Sequence, residues 1–145
     1  MKPNLIIPGD YDSYPREIEV DGHHFEYKNC FEIGMGGPQC GSFYIDGEKV
    51  DTAGRYGTSF FSKKDKAFFG IPFFLSQEKV YVPIFYLRRF QLASISLVNK
   101  KFITFGPKEG VLLVQEVLDG KVIYSKDGDP KIGLTSVKIP DICLR

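Results

Sequence analysis

The chain has 145 residues, a net charge of +1, and 13 Phe and 8 Tyr but no Trp. That length predicts a single domain over residues 1–145, large enough to fold without a metal or a disulfide framework. Its 26% charged and 43% hydrophobic residues exclude a disordered chain, and no run approaches the ~20 apolar residues of a membrane-spanning helix.

The opening segment has one Lys and a short apolar core interrupted by Pro8, which predicts no export signal. Three cysteines, Cys30, Cys40 and Cys143, make an odd count with no close pair. Reduced thiols in a cytoplasmic protein are therefore expected. Residues 1–50 hold nine acidic against four basic residues, net −5, and the remainder is net +6. Such a division creates opposed patches that can steer a charged partner, unless folding intermixes them. The acidic, tyrosine-bearing start, Asp10, Tyr11, Asp12, Tyr14, Glu17 and Glu19, is a candidate partner-binding stretch, with the tyrosines as anchors. Its plainer reading is a solvated turn and a charged edge strand.

Paired strands dominate the rest of the chain. Arg16–Val20 and His23–Lys28 flank Asp21-Gly22, Ser42–Ile45 and Glu48–Val50 flank Asp46-Gly47, and Val111–Leu118 and Lys121–Ser125 flank Asp119-Gly120. Asp-Gly between alternating segments is a hairpin signal, because both central residues must take positive φ. Between these lies the expected apolar centre: Ser59–Ser62, Ala67–Leu75 and Val80–Leu87, separated by polar turns at 63–66 and 76–79. Phe90–Val98 alternates apolar and small polar residues and reads as a strand in preference to a helix. Pro72 and Pro83 each mark an edge, a bulge or a strand start. The fold class is all-β, an antiparallel meander of about nine to eleven strands with little or no helix. Its hairpins are propeller-blade-like, but the chain is too short for four blades, which leaves a curved sheet, sandwich or barrel.

The residues that look chemical sit at spacings chemistry does not require. His23 and His24 are adjacent on a strand, so their rings point to opposite faces, one expected buried and one exposed. Cys40, in the glycine-rich stretch 34–41, is the expected exposed thiol, and Cys30 the expected core one. No familiar zinc spacing links these residues. The stretch 34–41 lacks the Gly-Lys-Ser/Thr ending of a phosphate loop and reads as a wide hairpin loop or bulge. Basic residues beside aromatics, Arg55-Tyr56, Tyr86–Phe90 and Lys100–Phe102, would suit stacked bases and phosphates, although the near-zero net charge argues against nucleic acid.

Residues 31–47, FEIGMGGPQCGSFYIDG, and residues 68–74, FFGIPFF, with VYVPI at 80–84, resemble small β-rich bacterial immunity proteins of contact-dependent and other polymorphic toxin systems. The resemblance implies a cytoplasmic, non-enzymatic protein that binds and neutralises a cognate toxin. No functional residue carries over from it. The expected function is accordingly protein binding through Asp10, Tyr11, Asp12, Tyr14, Glu17, Glu19, Arg55 and Tyr56, with no cofactor, no metal and no membrane. Two alternatives stay open: a small hydrolase or transferase using His23 or His24 with Cys40, and a β domain that binds single-stranded nucleic acid or a small ligand.

Overall fold

The structure, a computed structural model, describes residues 16–33, 38–61, 63–129 and 132–144. Asp10, Tyr11, Asp12 and Tyr14 lie outside the described residues, as do residues 34–37 of the glycine-rich stretch.

Two antiparallel sheets account for nearly all of the regular secondary structure among the described residues. The strands are β1 (Glu17–Val20), β2 (His23–Glu32), β3 (Gln39–Ile45), β4 (Glu48–Lys49), β5 (Phe68–Gly70), β6 (Phe74–Ser76), β7 (Lys79–Tyr86), β8 (Arg89–Ser96), β9 (Phe102–Glu109), β10 (Leu113–Leu118), β11 (Lys121–Ser125) and β12 (Leu134–Lys138). Among the described residues, helix is limited to α1 (Ala53–Tyr56) and a 3-10 turn at Asp141–Leu144. The first nine strands form one sheet, ordered β1-β2-β3-β5-β7-β8-β9, with β4 added to β3 and β6 to β7. β10, β11 and β12 form the second. The twelve strands among the described residues exceed the expected nine to eleven because β4 and β6 are fragments of two and three residues.

All three Asp-Gly turns form as the sequence predicts. The φ values are 51° and 80° at Asp21-Gly22, 53° and 82° at Asp46-Gly47, and 52° and 73° at Asp119-Gly120. Two further tight turns have the same left-handed backbone without glycine, at Gln77-Glu78 (50° and 62°) and Leu87-Arg88 (51° and 65°). Both prolines fall at one interruption of the β7 ladder. β5 pairs Phe69 with Ile84 and β6 pairs Phe74 with Tyr81, so residues 70–73 stand opposite only Val82 and Pro83. Pro83 interrupts the ladder where it is already broken.

The middle of the larger sheet buries both faces. One face curls around a core that includes Phe25, Tyr27, Phe43, Phe69, Phe73, Val82 and Ile95. The curl brings Phe69 of β5 edge-on to Phe102 of β9, and Lys100 Nζ to 3.8 Å from Glu48 Oε1, but the sheet does not close into a barrel. The other face packs on β10–β12 through a second core, where Cys40, Tyr81, Phe90 and Leu92 meet Val114, Val122 and Tyr124. Two covered faces explain the near-continuous apolar runs of β7 and β8.

One part of the expected apolar centre is not core. Phe60 and Phe61 are 90% and 93% exposed, on a turn clasped by Ser59 N–H to Lys64 O (2.6 Å) and Lys63 N–H to Ser59 O (3.0 Å). Thr58 and Asp65 bridge beneath it, so this segment projects from the sheet rather than extending it.

Candidate functional site

The β1–β2 hairpin gathers an acidic face. Register sets Glu17 opposite Glu26 and Glu19 opposite His24, which puts all four side chains on one side. His24 Nε2 lies 2.8 Å from Glu17 Oε2 and its Nδ1 3.9 Å from Glu19 Oε2. On the other side, His23 Nδ1 lies 2.8 Å from Asp46 Oδ2, while the main-chain N–H of His24 donates to Asp46 Oδ1 at 2.8 Å. These bonds, the main-chain one first, hold the Asp46 carboxyl below its ordinary value. The expectation of one buried and one exposed histidine is corrected: both rings are about one-third exposed, because the hairpin end lies beyond the fully covered part of the sheet. Among the described residues, Glu17, His24 and Glu26 are the one group whose ligand atoms lie close enough to share a cation, at the surface.

The expected roles of the thiols are reversed. Cys40 is fully buried, and burial pushes its thiol far up. Phe43 and Ile45 face the curled core, so the even-numbered Cys40 points to the opposite face, which β10–β12 cover at that point. Cys30 is half-buried instead, beside Arg16, where the chain bulges at Asn29 (φ 56°). Cys143 is buried in the second core. Asp46, which holds His23, stands six residues along from Cys40, roughly 20 Å in an extended strand. That separation denies Cys40 a histidine partner at this hairpin end.

Arg55 and Tyr56 belong to a different neighbourhood from Glu17 and Glu19. They lie on α1, whose first turn is tied by Gly54 N–H to Asp51 Oδ1 at 3.1 Å. Arg55 Nη2 donates to Thr104 Oγ1 of β9 at 2.8 Å, and its guanidinium lies over Tyr56 and Phe102 at 5.4 and 5.8 Å. Tyr56 also meets Tyr86 of β7, with ring centroids 4.4 Å apart. Among the described residues, no hydrogen bond or ion pair joins this group to Glu17 or Glu19. α1 thus brings Arg55-Tyr56 together with the basic, aromatic stretches at 86–90 and 100–102.

Two clefts flank Arg55. One, about 540 Å³, runs between β4 and the turn before β9 and has mixed charge, since Glu48 and Asp51 line it beside Lys49, Lys100 and Lys101. The other, about 130 Å³, has no carboxylate among its lining residues. Among the described residues, no helix is long and apolar enough to cross a membrane. No family model, no curated protein and no solved structure matches the chain.

Proposed function

We propose that this chain is a non-enzymatic binding protein whose anchor is Phe60-Phe61, with neutralisation of a cognate toxin as its concrete form. The carrying observation is the exposure of two adjacent aromatic rings, 5.2 Å apart and edge-to-face, on a projecting turn. Large aromatic side chains held in water contribute nothing to folding and become strong contributors when a partner pocket covers them. Lys63, Lys64 and Lys66 are exposed around the turn, while the intervening Asp65 is held by Lys49 at 2.5 Å. The surface is therefore apolar at its tip and cationic at its collar. It suits an apolar pocket rimmed by carboxylates, and the collar would speed encounter with such a partner.

The test is co-expression with the product of the adjacent upstream gene. The reading expects a one-to-one complex that protects cells from that product. Phe60→Ser with Phe61→Ser should abolish both complex and protection while leaving the melting temperature unchanged. Undiminished binding by the double variant would refute the anchor, and neither complex nor protection with the wild-type chain would refute toxin neutralisation.

A further inference from the structure

Beyond the aromatic turn, we infer that the smaller cleft beside Arg55 is a binding site for a phosphoryl group. Three cations converge there from three elements: Arg55 from α1, Arg89 from β8 and Lys108 from β9. Tyr56 and Tyr86 line it as well, with the buried Ile84. The cross-strand pairs Ile84↔Gln91 and Tyr86↔Arg89 show why these side chains share a face.

Lys108 reaches the cleft through a local irregularity. β8 pairs Phe90 with Glu109 and Leu92 with Phe105, so Gln91 alone stands opposite Gly106, Pro107 and Lys108. Gln91 Nε2 donates to the Gly106 carbonyl at 2.7 Å and fastens this bulge, which Gly106 enters at φ 79°. Bulges re-aim side chains and are over-represented beside functional sites. The neighbouring Glu109 turns to the other face, where its carboxylate accepts from the Tyr124 hydroxyl at 2.8 Å. The bulge thus presents a cation to the cleft and keeps the adjacent anion away from it.

Charge balance separates this cleft from its neighbour. In the larger one, Lys100 is matched by Glu48 and Lys49 by Asp65. In the smaller one, neither Arg89 nor Lys108 has an ion-pair partner among the described residues, and Arg55 is fixed by a neutral hydroxyl. Cations that share a cleft with no carboxylate in its lining repel one another, and a bound anion relieves that repulsion. A phosphoryl group with two negative charges balances three cations better than a single carboxylate, and guanidinium forks fit its oxygens. The volume of about 130 Å³ admits such a group, not a whole drug-sized ligand, whose pockets run from about 300 Å³. Tyr56 and Tyr86 already touch each other, leaving no slot for a base between them.

The experiment is an NMR titration of isotope-labelled full chain with inorganic phosphate, with adenosine 5′-monophosphate, and with an oligothymidine lacking terminal phosphates. The expected result is a saturable perturbation of the Arg55, Arg89 and Gln91 side-chain signals, with millimolar affinity for phosphate alone. Arg89→Met and Lys108→Met should each weaken binding about tenfold, as loss of one charge-assisted bond implies. Lys121→Met, the same charge change on the exposed start of β11, should leave it unaltered. Saturation by the monophosphate alone identifies a small phosphorylated ligand as the source, and saturation by the oligothymidine a nucleic-acid backbone; either supports the site. No saturable perturbation with any probe overturns it. So does equal weakening by Lys121→Met, or unchanged affinity in an Arg89→Met/Lys108→Met double variant that melts like the wild type.

Discussion

The hydroxyl of Tyr27 donates to the main-chain carbonyl of Gly70 at 2.7 Å, reaching past β3, which lies between their strands. Gly70 ends β5 where the β7 ladder breaks. The phenol therefore satisfies a buried carbonyl at the point where regular pairing stops. Tyr27→Phe keeps the tilted ring contact with Phe43, centroids 4.8 Å apart, and removes this bond. It should cost about 1–2 kcal/mol in urea denaturation. A loss under about 0.3 kcal/mol would mean that the Gly70 carbonyl is satisfied some other way.

The glycine-free turns can be improved. Gln77 and Glu78 both hold left-handed backbone, which costs side-chain-bearing residues other than Asn and Asp more than glycine. Replacing the pair with Asn-Gly should raise stability by about 1 kcal/mol, read as a higher melting temperature. An unchanged or lower midpoint would show that neighbouring contacts compensate.

Alkaline pH should unfold the chain through its buried phenols. Burial pushes the Tyr81 hydroxyl from 10.0 up to about 12. Burial also raises Tyr124, aided by its bond to the Glu109 carboxylate. The folded state thus keeps protons that the unfolded chain releases. The phenol contribution to stability is complete below pH 10 and is lost as pH rises from 10 toward 12, on the order of 2 kcal/mol from Tyr81. Paired absorbance and circular-dichroism titrations check this: the last phenols should ionise together with unfolding. Complete ionisation of a folded chain would contradict it.

Thiol labelling separates the three cysteines. Cys30 should react slowly in the native protein, and Cys40 and Cys143 only after unfolding, because the latter two are buried. Two or more thiols reacting natively would place the second core in solvent.

In acid, the depressed Asp46 carboxyl predicts the opposite sign from the phenols. Its contribution is present above pH 3.8 and fades as pH falls through its lower folded-state value. Asp46→Ala should shallow the acid-unfolding curve while leaving the alkaline limb unmoved. An acid limb identical to wild type would show that Asp46 contributes nothing to acid stability.

How much the sequence reveals depends on how local each cause is. Asp-Gly turns are readable because residue type alone permits their backbone, as at Asp119-Gly120. Leu87-Arg88 takes the same shape for a distant reason: Phe85 pairs with Phe90 and Tyr86 with Arg89, so the register imposes the turn. Phe60-Phe61 misleads because apolarity signals burial only on average, and here a short hydrogen-bonded turn carries the rings away from the sheet. Cys40 misleads because no local pattern tells that a second sheet covers its face. Arg55 and Arg89 stand out beside aromatic residues, whereas Lys108 carries no local signal, since its direction comes from the bulge opposite Gln91. The cleft is a product of topology, joining side chains 34 and 19 positions apart.

The two sheets are segregated along the chain: every strand of the larger one precedes residue 110, and the smaller one comes entirely after it. On a ribosome, which builds about 5–20 residues per second, the residues of the nine-stranded layer are all made roughly 1.5–6 seconds before the last strand of their cover. Without that cover, Cys40, Phe74, Tyr81, Phe90 and Leu92 would stand as a bare apolar wall. A nascent chain stalled or truncated there should be a chaperone client and a seed for aggregates. The strands from Leu113 to Lys138 therefore act as the lid over the apolar wall that the preceding strands build.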